Sequence, residues 1–175
     1  PSMSGDFAVS VWFNPDDATT ANEVIFGTPG YGRSTTGMVF YIHEGGYQPY
    51  VKIGGSAVQI SSEIAAQKGR IFSGVWHHGV WQRNNGVWQI YANGEFLSGS
   101  YTQTGATTDF APDAISPSGG GSGSGTFHIG YNGVGTFFNG KIADTAVWDA
   151  ALSKAEVEQI FNSGHPTDLS TNYGR

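Results

Sequence analysis

The chain contains no cysteine among its 175 residues. Disulfides, thiolate metal sites and cysteine nucleophiles are therefore excluded. The compartment stays open, because a domain of this size can be stable outside the cell without bridges. Charge is also scarce. Charged residues make up 13% of the chain, only eight residues are basic, and the net charge is −6. The basic residues are scattered and form no stripe, so there is no electrostatic footprint for nucleic acid or for an anionic membrane. No apolar run approaches the roughly 18 residues of a transmembrane helix, so membrane insertion is not expected. No signal peptide is visible, and the chain opens on "PSMSGDFAVSV" as if cut from something longer.

What is present is a core's worth of apolar and aromatic residues, 38% and 14% of the chain, with 27 glycines. That is one domain rich in turns. The dominant period is two. In "FAVSVWF", Phe7, Val9, Val11 and Phe13 share one face, and Ala8, Ser10 and Trp12 share the other. "EVIFG", "GMVFYIHEGGYQPYVKIGG" and "SAVQISS" read as further strands, with Pro49 marking a register break or an edge. "VWHHGVWQRNNGVWQIYANGEF" reads as a meander: a strand over 75–83, a turn at 84–86, a strand over 87–92, and a type I′ turn at Asn93-Gly94. Residues 95–101 pair back. Two hairpin signals flanking alternating aromatics specify an all-β fold.

One helix is expected. In "LSKAEVEQIFNSG", Ser153 and Glu156 form a capping box, Leu152 staples onto Val157, and Gly164 ends the helix. The domain is expected to span 1–164, with a long surface loop at 102–125, and 165–175 is an extended tail or linker.

Three blocks carry a family pattern. "GDFAVSVWFNPDD" resembles the opening strand of laminin-G-like, concanavalin A-like jelly-roll domains. "VWHHGVWQRNNGVWQIYANGE" resembles their Trp-His-His strand and its hairpin. "FHIGY…FFNGKIADTAVWDAALSKAEVEQIFN" resembles their closing strand and short helix. The resemblance implies a two-sheet antiparallel jelly-roll sandwich with one short C-terminal helix. It also implies a non-catalytic module that recognises glycan or protein, set in a larger extracellular, cell-surface or virion protein. The alternative is a structural or assembly domain of a virion, fibre or cell-envelope protein. A first strand that usually precedes "GDF" is absent here, so a sheet edge is open, or is filled by another segment or a neighbouring subunit.

The candidate sites follow. His77 and His78, adjacent on a strand, point to opposite faces and cannot chelate one metal together. The plain expectation is one packed, hydrogen-bonded histidine and one at the surface. Each tryptophan is either core or, if left outside, a stacking surface for a sugar ring. Trp12, Trp81 and Trp88 are the ligand-binding candidates, and Trp12 is either solvent-facing or covered by a loop. Many relatives hold calcium at a sheet rim, and the resemblance makes calcium the one cofactor to consider. Asp16, Asp17, Asp109 and Asp113 lie in oxygen-rich loops suited to it, although Ala143 replaces an acidic residue common in relatives. Hydrolases on this jelly roll share a Glu-x-Asp-x-x-Glu strand, and no such string occurs. Asp144 and Asp149 fall on opposite faces of a regular strand. No Gly-x-Ser-x-Gly or phosphate loop is present, so an enzyme is not expected.

Overall fold

The computed structural model describes residues 6–17, 23–27, 38–43, 48–53, 56–60, 71–85, 87–97, 101–104, 128–131 and 137–165. The strands are β1 (Phe7–Pro15), β2 (Glu23–Gly27), β3 (Met38–His43), β4 (Gln48–Ile53), β5 (Ser56–Ile60), β6 (His77–Asn84), β7 (Val87–Ala92), β8 (Glu95–Phe96), β9 (Tyr101–Thr104), β10 (His128–Ile129) and β11 (Gly140–Trp148). One helix, α1 (Lys154–Phe161), follows. The strands form two antiparallel sheets, ordered β11-β1-β6-β7-β8 and β10-β2-β3-β4-β5-β9. This is the two-sheet sandwich with a short C-terminal helix that the sequence implied.

The alternation in β1 divides its side chains between two apolar layers. Phe7, Val9, Val11 and Phe13 face inward and pack with Trp81, Ile90, Ile25, Phe26, Phe40 and Ile42. Phe40 stacks between Phe26 (5.6 Å) and Trp81 (5.3 Å), so a ladder of rings joins the sheets. The Trp81 indole lies over Gly79, where any Cβ would collide with it. The other face is covered as well. Ala8, Val80 and Tyr91 pack against Leu152, Val157 and Ile160 at and within α1. Every residue of β1 is buried because a sheet lies on one side and a helix on the other.

Gln82 secures that outer layer. Its Oε1 accepts from the Leu152 N–H (2.8 Å), and its Nε2 donates to the Leu152 carbonyl (3.1 Å) and to Gln89 Oε1 (2.7 Å). The capping box forms as expected. Ser153 Oγ accepts from the Glu156 N–H, and Glu156 Oε2 accepts from the Ser153 N–H at 2.8 Å. The helix ends earlier than expected: Asn162, in the left-handed conformation (φ 45°), is its C-cap, and Gly164 lies two residues beyond.

Other departures are local. Asn93 and Gly94 both have positive φ, as a type I′ turn requires. The strand expected over 95–101 is shorter: Glu95–Phe96 pairs with β7, whereas Tyr101–Thr104 joins β5 in the other sheet. Pro49 pairs opposite Ile42 without a register shift, at the end of β4 beyond the residues that pair with β5. That end is locally an edge, where a missing N–H costs little. β11 is not regular. Its register against β1 shifts between Ser10 and Trp12, with Asp144 at φ 45°. The expected loop lies outside the described residues after Thr104, as does the tail after His165.

Candidate functional site

One end of the sandwich gathers polar and exposed apolar groups. β1 ends there at Pro15, β6 begins at His77, β11 begins at Gly140 and β2 begins at Glu23. Backbone hydrogen bonds stitch these ends together. The Gly74 N–H donates to the Pro15 carbonyl (2.7 Å), and the Asp16 N–H donates to the Asn139 carbonyl (2.9 Å). The Asn139 N–H donates to Glu23 Oε2 (2.6 Å), which ties the two sheets at this rim.

The rim is acidic. Burial raises the pKa of Glu23, and the charges of Asp17 and Asp16 push the same way, while the Asn139 N–H opposes them. Three carboxyls therefore share one electrostatic neighbourhood. Among the described residues, however, no group of three or more His, Asp or Glu is placed to hold a metal ion. Asp109 and Asp113 lie outside the described residues.

Beside the carboxyls runs the segment 71–76. Ile71 is buried in the core and anchors one end. His77 anchors the other, accepting at Nε2 from the Phe72 N–H (2.9 Å) and stacking with the Phe72 ring at 6.3 Å. Its Nδ1 lies 3.2 Å from Asn93 Nδ2. Burial lowers the His77 pKa, so the ring is neutral at neutral pH. Between these anchors Gly74 turns the chain at φ +74°. The result is a pinned turn with Phe72 (48% exposed), Val75 (49%) and Trp76 (38%) held outward. Large apolar groups held open beside polar ones are what a ligand-binding surface requires.

The expected site residues are distributed differently. Trp12 and Trp81 are buried, so neither offers a ring face to a ligand. Trp81 fills the space between the sheets. Trp12 is covered, but by α1 instead of a loop: Phe161 stacks on it at 5.8 Å. Trp88 has its backbone in β7, opposite Arg83, and its side chain lies outside the described residues. Trp76 takes the role these were given. It precedes β6 and does not belong to its alternation, and the turn-forming "SGV" before it was the available signal. The histidines do point to opposite faces, yet both are buried; His78 is no surface residue.

The family model described as the concanavalin A-like lectin/glucanases superfamily matches residues 1–158. The chain belongs to this superfamily. Solved structures of similar fold share its lectin-type sandwich. One is a protein of Bacteroides ovatus described as carbohydrate binding (24% identity, TM-score 0.60), covering 89% of this chain and 40% of that one. Another is the CBM40 module of a Ruminococcus gnavus sialidase bound to α2,3 sialyllactose (11% identity, TM-score 0.56), covering 90% and 83%. A third is domain 4 of the Geobacillus stearothermophilus arabinanase AbnA with arabinotriose (19% identity, TM-score 0.51), covering 90% and 66%. At these identities the likeness establishes the lectin-like fold. No curated protein matches the chain.

Proposed function

We propose that this chain is a non-catalytic glycan-binding module of a larger extracellular protein, at a cell or virion surface, and that it holds its ligand at the rim. The observation that carries this reading is the pinned turn. Phe72, Val75 and Trp76 are kept exposed beside Asp16, Asp17 and Glu23. A pyranose ring has apolar C–H faces and polar edges, so exposed rings next to carboxylates and amides are complementary to it. The carbohydrate-binding relatives support the same class of ligand. A broad glycan array, neutral and sialylated, tests the reading. Binding is expected in the native protein and is lost in Trp76→Ala with the melting temperature unchanged. An array negative throughout would sink it.

Calcium is a separate proposal for Asp16 and Asp17, with Asp109 and Asp113. The ion wants 6–8 oxygens, and the described donors do not converge on one by themselves. A calcium titration of the melting temperature against a chelator control tests it. No shift removes the ion from the reading.

The second reading is assembly, in which a neighbouring subunit pairs with a sheet edge. It is favoured by Ile129, 55% exposed on the edge strand β10. Light scattering decides: a strict monomer at high concentration removes this reading.

A further inference from the structure

A second aromatic surface stands next to the rim. Tyr131 and Phe137 face each other across an isolated antiparallel bridge. Their rings stack at 4.5 Å with 16° between planes, and His128 meets Tyr131 edge-on at 5.4 Å. Phe137 is 66% exposed, more than any other large hydrophobic residue among those described. Tyr131 backs one face of its ring, so the exposure lies on the rest of it. The arrangement is held in place. The Phe138 N–H donates to the Gly130 carbonyl (2.9 Å), and the Gly130 N–H donates to the Ile25 carbonyl (2.8 Å). Phe138 itself packs edge-on against Phe13 in the core (6.3 Å). Neighbouring residues of an extended segment point to opposite sides, so burying Phe138 turns Phe137 outward.

The surface is continuous with the rim. Asn139, two residues beyond Phe137, is the residue that bonds both Asp16 and Glu23. Two extended residues span only about 7 Å. Two ring surfaces, Trp76 with Phe72 and Phe137 with Tyr131, therefore flank one patch of carboxyl and amide groups.

We infer that Tyr131–Phe137 is a second sugar-stacking platform and that the ligand is an oligosaccharide chain spanning both platforms, not a single terminal sugar. This inference rests on the glycan-binding reading of the rim. Alternating rings and polar groups match a chain of pyranoses, whose C–H faces and hydroxyls alternate along its length. A lone backed ring offers too little apolar area for a stable protein interface.

The test uses the full chain and immobilised neutral gluco-, xylo-, manno- and arabino-oligosaccharides, each series running from monosaccharide to hexasaccharide. Affinity is expected to rise with length in the series that binds. Phe137→Ala is expected to weaken the longest members about tenfold and leave the shortest unchanged. Phe137→Tyr keeps the ring and retains the length dependence. Trp76→Ala weakens every member. Equal binding of Phe137→Ala and the native chain to the long members overturns the inference alone, as does a monosaccharide bound as tightly as a hexasaccharide. Binding to no member of any series overturns it together with the rim reading.

Discussion

The His78 ring sits in the layer between the five-stranded sheet and α1, with Trp12 at 5.2 Å and Phe161 at 6.2 Å. Neither ring nitrogen has a hydrogen-bond partner, and burial pushes its pKa down to about 4 from 6.5. The unfolded chain therefore binds a proton between these values that the folded chain refuses. Stability from this group is complete above about pH 6.5 and is lost as the pH falls toward 4. At about 1.4 kcal/mol per pH unit, the full loss is about 3 kcal/mol, and at about pH 5 it is roughly 2 kcal/mol. For a chain of this length that corresponds to a fall in melting temperature of about 4–8 °C between about pH 7.5 and 5. His78→Phe keeps a ring between Trp12 and Phe161 but cannot titrate. Other groups, including His77, titrate in both proteins, so the difference between the two pH slopes isolates His78. Calorimetric melts at the two pH values measure it. If His78→Phe loses as much melting temperature as the native chain, the reasoning is wrong.

Three further substitutions probe the layers on either side of β1. Gln82→Leu leaves the Leu152 N–H and carbonyl without their partner in a buried site; it should cost about 2–3 kcal/mol in urea unfolding, and a loss below the measurement error would show that water replaces it. Gly79→Ala drives a methyl into the Trp81 indole; a cost of about 1–3 kcal/mol and a changed near-ultraviolet circular dichroism spectrum are expected. Ser153→Ala removes the capping hydroxyl of α1; a loss of about 1 kcal/mol is expected, and an unchanged midpoint would mean that helix packing alone holds this end.

Much of the architecture was legible because its signals are local. The alternation Phe7–Val9–Val11–Phe13 can satisfy only a strand with one dry face. Asn93-Gly94 can satisfy only a turn with two positive φ angles. Ser153 with Glu156 closes a helix start using groups three residues apart. The three motif blocks, in order, placed the chain in its superfamily, because a fold's strand order survives in spaced residues that pack together.

The binding surface was not legible in the same way, because exposure depends on what arrives from far along the chain. Trp12 lies opposite the apolar face of its strand, and nothing within β1 says that a helix some 140 residues later will cover it. Trp76 reads as part of the β6 alternation until Gly74 bonds to Pro15 and lifts the segment off the sheet. The acidic rim exists only because Asn139 holds Glu23 of one sheet against Asp16 of the other. The sequence by itself determined which segments are strands, turns and helix, since those choices are settled by period and by nearest-neighbour chemistry. Only the tertiary structure decided which aromatics are buried and which are left outside, since that is settled by long-range packing of one layer on another.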